Sequence, residues 1–427
     1  MEWVSWTGAP EDRTFSEELA RRFSWLSRHL TFRKLLNLTI AGAQYIAHSE
    51  RLASCPAALK IDISPLCNLR CTICVHADPN GNPALEKQRF DATQMMSMDD
   101  YRRIIDEISG QAVVVSLDYL GDPLVHPELW RMCRAASDAG LNVHICTNFS
   151  FPLSDDRIAE IVESGLTHIT VSVDGLDQRA YGLTRVGGRV DAVISNLTRL
   201  CQLRAKRAQS SPEVEVQYIR FQHNLDDLER AKHVFPAMGV DRLTTFWGSL
   251  HNYTDIDPGT YAVHRPWPRQ FLPRCFWPYF GMVVKYNGDV IPCCNHRLGT
   301  QYTNCDDARA LGNVFRTSVR DVWNSPAYRA VRRLVGNPRN IEREPTLEDC
   351  FCYGCPGVFD TDRDRNLRPA EQYAFGELYT VTGDGHPKRI SGPRSEIRRD
   401  TAVRESHGAQ HRRRLLLREP HLPHAKK

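Results

Sequence analysis

The chain has 427 residues, 41% apolar and 25% charged, an ordinary globular balance with length enough for two domains or for one large domain with additions. Its net charge of +4 conceals a division: His386 to Lys427 carries twelve Lys/Arg against four Asp/Glu, a surplus of 8 that leaves −4 on the remainder. A mildly acidic folded part excludes a nucleic-acid groove, which needs basic residues spread over the folded surface.

Fourteen cysteines follow an opening Met1-Glu2-Trp3-Val4 that shows neither a charged n-region nor an apolar h-region. Together they predict a reducing, cytoplasmic setting and metal use rather than disulfides. Residues 1–56 read as a helical extension, with Thr14-Phe15-Ser16-Glu17 in the form of a capping box. The apolar run from Phe32 to Ala47 is broken by Arg33, Lys34, Asn37 and Gln44, too short and too polar to span a bilayer. It reads as an amphipathic helix, with a peripheral membrane contact left open.

From Ala57 the pattern alternates. Strands are predicted over 58–63, 112–117, 141–146, 168–173, 213–221 and 242–247, and helices over 98–109, 127–139, 154–164, 189–207 and 226–238. Six strands, each followed by a crossover, predict an α/β fold: a parallel sheet curled into a partial (β/α)6 barrel over 57–250. Ligands bind at the carboxyl ends of such strands. The segments there are Leu120-Gly121-Asp122-Pro123, Thr147-Asn148-Phe149-Ser150, Val171-Ser172-Val173-Asp174-Gly175 and Gln217 to Asn224. Gly, Asn and Asp in these places are equally common as turn residues.

Directly after the first strand, Cys67-Asn68-Leu69-Arg70-Cys71-Thr72-Ile73-Cys74 spaces three cysteines as C-x3-C-x2-C. Three thiolates can bind three irons of a cubane and leave the fourth without a protein ligand, free for a small molecule. Zinc is the competing reading, but a structural zinc takes four closed ligands and no fourth lies beside this loop. Cys55, Cys133, Cys146 and Cys201 fall on or beside predicted elements and read as core thiols.

Residues 251–273, rich in Pro, Asp, Tyr and His, read as a linker or lid. Over 274–370 a hairpin around Asn287-Gly288 leads to Cys293-Cys294, then to Leu311-Gly312-Asn313-Val314, a helix from Ser318 to Leu334, and Cys350-Phe351-Cys352-Tyr353-Gly354-Cys355. Residues 371–427 read as a basic tail for which disorder is the expectation.

The cysteine loop, with the strand before it and Asn-Leu-Arg inside it, resembles the signature of the radical S-adenosylmethionine (SAM) enzymes. The resemblance implies a 4Fe-4S cluster on Cys67, Cys71 and Cys74 whose open iron chelates SAM, a 5'-deoxyadenosyl radical that takes hydrogen from substrate, and an external electron donor such as flavodoxin or ferredoxin. In that family the second strand usually ends in Gly-Gly-Glu-Pro. Here Gly121 and Asp122 stand in that place, with a carboxylate one methylene shorter for the methionine amino group. Ser172 and Asp174 match the ribose-contacting position, Arg185 resembles an arginine that pairs with the methionine carboxylate, and Asn148 joins the same cofactor site.

The later cysteines resemble the SPASM extension or its shortened twitch form. This implies one auxiliary 4Fe-4S cluster on Cys275, Cys293, Cys352 and Cys355, with Cys294 and Cys350 as the alternatives and zinc as the competing metal. The resemblance extends to members that oxidise or dehydrate aminosugars and aminocyclitols in antibiotic biosynthesis, and to members that modify ribosomal peptides. The helical N-terminus, without a hairpin, favours the small-molecule class. A substrate base could be Asp118, Tyr119, His251 or Asp255. A non-enzymatic iron–sulfur carrier or regulator is the third reading.

Overall fold

The computed structural model describes residues 27–72, 74, 76, 95–247, 275–294, 310–353 and 358, and the backbone of two short strands beyond them. His251, Asp255 and Cys355 lie outside the described residues, as do the linker 251–273 and most of the tail.

Six strands follow one another as the alternation predicts: β1 (Ala58–Ile61), β2 (Val114–Ser116), β3 (Asn142–Thr147), β4 (His168–Ser172), β5 (Glu213–Arg220) and β6 (Arg242–Trp247). All pair in parallel with their sequence neighbours. The crossovers are α2 (Met98–Ile108), α3 (Leu129–Asp138), α4 (Asp155–Glu163), α5 (Gln178–Thr184) with α6 (Val190–Lys206), and α7 (Leu225–Ala237), while α1 (Phe32–Ile46) precedes β1. Side-chain caps begin several of them: Ser97, Ser154 and Asp177 accept from the backbone N–H three residues on. The sequence reading missed α5, a seven-residue helix whose Gly182 breaks the apolar period.

The C-terminal cysteine region does not form a separate layer. Strand β7 (Gly281–Val284) pairs in parallel with β1, so that β7, β8 (Asp289–Ile291) and β9 (Gly312–Asn313) extend the barrel sheet in the order β6-β5-β4-β3-β2-β1-β7-β8-β9. The β7–β8 turn needs Gly288, at φ 85°, where a Cβ would also lie 2.5 Å from Phe315. Two helices, α8 (Val319–Trp323) and α9 (Pro326–Gly336), clamp this edge onto the N-terminal segment. The Trp323 indole donates to Ser54 O (2.9 Å), and the buried Arg332 guanidinium lies over the Trp323 and Tyr328 rings at 4.4 and 4.7 Å while donating to Pro278 O and Glu50 O. In the stretch expected to be disordered, Tyr379–Val381 and Pro387–Arg389 pair as antiparallel strands.

Register divides the barrel sheet into two unlike faces. Leu59 pairs with Val115 and Val115 with Val143, Ile145 with Ile169 and Ile169 with Val214, all buried. The alternate positions pair Lys60 with Ser116, Ser116 with His144 and His144 with His168. Parallel strands covered on both faces are normally apolar throughout. A polar row on one face marks it as the side that meets something other than packed hydrocarbon.

Candidate active site

The cysteine loop leaves β1 and is pinned along both edges. On one edge Asp122 N–H donates to Leu66 O (2.7 Å), and Gly121 lies so close that a Cβ would be 2.2 Å from Leu66 O and 2.3 Å from Ser64 O. On the other, Arg70 N–H donates to Val186 O (2.9 Å) and Thr72 N–H to Thr184 O (3.0 Å), so the loop runs against the end of α5. His76, which the sequence reading passed over, meets Leu120 O through Nε2 at 3.0 Å, and burial lowers its pKa to about 4. Its position two residues after Cys74 was the available signal.

Burial pushes the Cys67 thiol well above its ordinary range, with the Asp122 charge and then Cys74 and Cys71 adding to the effect. Burial also raises Cys71, against the pull of Arg185. Thiols raised in this way stay protonated at neutral pH, and iron binds them as thiolates with release of the protons. The donor set fits a cubane with three protein ligands.

Around the loop, the structure brings together most of the residues expected at a cofactor site. Asn148 donates through Nδ2 to Asn68 Oδ1 (2.8 Å) and lies 3.7 Å from Cys67 Sγ. Arg185 Nε donates to Asp174 Oδ2 (2.6 Å), and Asp174 Oδ1 accepts from Ile219 N–H (2.9 Å). Arg185 is thus a mostly enclosed guanidinium between Asp174 and Cys71. Ser172 Oγ lies 3.8 Å from Cys146 Sγ. Asp122 departs from expectation in its partners: its carboxylate accepts from Leu124 N–H (3.0 Å), Thr147 Oγ1 (2.9 Å to each oxygen), Asn148 N–H (2.7 Å) and Asn148 Nδ2 (2.7 Å). These donors come from the chain itself and occupy both oxygens. Burial nonetheless raises its pKa to about 6.

Below this cluster of residues runs the polar row. Lys60 Nζ and Asp118 form an ion pair, and Ser116 Oγ donates to the same carboxylate. Ser116 Oγ and His144 Nδ1 are 2.7 Å apart, and His144 Nε2 and Thr170 Oγ1 2.9 Å. Since Ser116 gives its one proton to Asp118, His144 carries its proton on Nδ1 and accepts from Thr170 at Nε2. Burial lowers His144 to a pKa of about 3, so the ring is neutral. Lys60 holds Asp118 below the usual carboxylate range against the opposing effect of burial, which suits an anchoring charge and makes it a weak base. Next in the row His168 Nε2 lies 2.9 Å from Glu215 Oε2. Cys146, on this face beside Ser172, and Cys55, ahead of β1, are half-buried rather than the core thiols expected, whereas Cys133 and Cys201 are buried in the core. Tyr119 is half-buried against the apolar core.

The adjacent cysteines of the extension have different neighbours. Buried Tyr328 is raised by burial and then by Cys352 and Cys293 together, and Cys275 acts in the same sense on Tyr279. Cys294 instead bears on Lys60 and Asp118 in the barrel. Cys293 and Cys352 thus lie about Tyr328 and Cys275 near Tyr279, while Cys294 faces the barrel side.

Comparisons with known proteins agree with this layout. Residues 61–211 match the model of the radical SAM superfamily, and residues 275–356 that of SPASM, an iron–sulfur cluster-binding domain, the two stretches together spanning more than half of the chain. PqqA peptide cyclase of Rhodopseudomonas palustris is 29% identical over 31% of this chain and 32% of its own, and AdoMet-dependent heme synthase of Methanosarcina barkeri 25% identical over 30% and 34%. The match thus spans about a third of the length of these curated relatives. SuiB of Streptococcus suis, solved bound to S-adenosylmethionine, shares the fold with a TM-score of 0.53 at 17% identity over 74% of this chain and 78% of that one; bound to precursor peptide SuiA the TM-score is 0.50. A radical SAM domain binds a 4Fe-4S cluster and SAM, and a SPASM domain carries auxiliary iron–sulfur clusters. This chain belongs to the radical SAM superfamily and carries a SPASM domain on the same sheet as its barrel.

Proposed function

We propose that the chain is a radical SAM enzyme acting on a small polar substrate of the aminosugar or aminocyclitol type, oxidising it or removing water from it. In this reading Cys67, Cys71 and Cys74 hold the SAM-binding 4Fe-4S cluster, and Cys275, Cys293, Cys352 and Cys355 hold one auxiliary 4Fe-4S cluster. When bound, cluster and SAM supply a 5'-deoxyadenosyl radical able to take hydrogen from an unactivated carbon. Arg185 offers a fixed cation for a carboxylate, with Asp174 orienting it. Asn148 ties the cofactor site to the cysteine loop, and Gly121 lets the two segments touch.

The observation that carries the substrate class is the polar row of Lys60, Ser116, Asp118, His144 and Thr170 on the barrel's inner face. It presents donors and acceptors with charges that cancel, which suits a hydroxyl- and amine-bearing molecule better than an apolar one. An external donor such as flavodoxin or ferredoxin supplies the electron. The second reading is modification of a ribosomal peptide, supported by the shared fold with SuiB.

The test incubates the reconstituted protein, SAM and reductant with a panel of aminoglycoside precursors and cyclitols. Loss of two hydrogens or of water from one of them supports the proposal. Reaction only with a peptide overturns it in favour of the second reading.

A further inference from the structure

Helix α1 anchors itself inward largely through polar groups and leaves several large apolar side chains facing out. Most of its inward contacts are polar: Lys34 donates to Gly140 O, Asn37 donates to Cys55 O (3.0 Å) and Gln111 O (3.3 Å) and accepts from Cys55 N–H (2.9 Å), and the partly buried Gln44 accepts from Ser54 N–H (3.2 Å), with Ala41 buried among them and Tyr45 packed edge-on against Tyr279 and Phe280. The hydrogen-bond partners stand just ahead of β1, β2 and β3, so α1 sits at the amino ends of the strands, opposite the cysteine loop. The large apolar side chains turned outward are Phe32, 81% exposed, Leu35 49%, Leu36 48% and Ile46 80%. Neighbouring large side chains of this kind mark a contact surface.

Charge selects the occupant. From Ser27 to Ser49 the chain contains no Asp or Glu, while Arg28 and Arg33 stand exposed at the amino-terminal end of the helix. A second copy seated on the same face would add its own cations and bring no carboxylate of this segment to meet them. An anionic surface neutralises them and takes up the apolar side chains together. We propose that α1 docks the protein onto an anionic lipid surface, with Phe32, Leu35, Leu36 and Ile46 entering the interface and Arg28 and Arg33 meeting lipid headgroups. Docking at the amino ends of the strands leaves the barrel mouth facing water.

The test is co-sedimentation of the full chain with vesicles of phosphatidylcholine alone and of phosphatidylcholine with phosphatidylglycerol. Binding should require the anionic lipid, weaken at high salt, and fall about tenfold or more in Phe32→Ser/Ile46→Ser. Leu35→Glu/Leu36→Glu should lose binding too, and serves if the first variant fails to fold. The proposal is overturned if the unaltered chain fails to sediment with any vesicle, if it binds equally without anionic lipid, or if well-folded variants bind as it does. It is also overturned if sedimentation velocity shows a dimer that these substitutions break while vesicles are ignored.

Discussion

The Asp122 carboxylate accepts from both the backbone N–H and the side-chain amide of Asn148, each at 2.7 Å, and the same amide reaches Asn68 inside the cysteine loop. Asp122 therefore acts on the loop through Asn148. Asp122→Ala orphans the buried donors of Thr147, Leu124 and Asn148. It should cost about 1–3 kcal/mol in unfolding free energy and lower the iron retained by a protein lacking the auxiliary cysteines. Denaturant titration and iron analysis check this; full stability with loss of SAM affinity alone would make Asp122 a cofactor ligand instead.

The ion pair of Lys60 and Asp118 is mostly enclosed, and removing one partner strands the other. Asp118→Ala should destabilise by about 3–5 kcal/mol, while Lys60→Met/Asp118→Leu, which removes both charges, should recover most of that loss. If the row meets substrate, the double variant still forms 5'-deoxyadenosine but does not convert substrate. Product analysis on the two variants separates the structural from the functional part.

Arg185 should govern SAM affinity. Replacing it by Met removes a charge-assisted contact, and calorimetry should show about a ten- to hundredfold weaker affinity, partly restored in Arg185→Lys. Unchanged affinity would return Arg185 to a structural partner of Asp174.

Asp62 predicts a pH dependence. Burial raises its pKa from 3.8 to about 7, against the hydrogen bonds from Leu120 and Gly121 and the nearby Lys285 charge. Between those values the unfolded chain has released a proton that the native chain keeps, so this group's contribution to stability falls as pH rises and is lowest above about 7. Asp62→Asn keeps an acceptor and removes the titration. Its stability relative to the unaltered protein should therefore rise from pH 4 to pH 8, measured by thermal unfolding; a flat difference would contradict the assignment.

The strand and helix order was legible because each strand is a short apolar run closed by Gly, Asn or Asp, and each long helix has a 3.6-residue period. The cysteine loop was legible because ligand spacing is local. The polar row was not: Lys60, Ser116, His144 and Thr170 lie far apart in the chain, and only register sets them side by side. Neither was the joining of β7 to β1, since Gly281–Val284 reads the same whether it founds a new domain or extends an old sheet. The partners of Asp122 escaped for the same reason, because a carboxylate after a strand looks alike whether it faces a ligand or the next strand's end.

The central claim is that Cys67, Cys71 and Cys74 hold a cluster that cleaves SAM, and the most direct test is 5'-deoxyadenosine formation by the anaerobically reconstituted, reduced protein. The account predicts 5'-deoxyadenosine and methionine from the unaltered chain and none from Cys67→Ala/Cys71→Ala/Cys74→Ala, in which the auxiliary iron remains. Equal cleavage by the triple variant, or none by a fully reconstituted unaltered chain, would contradict it.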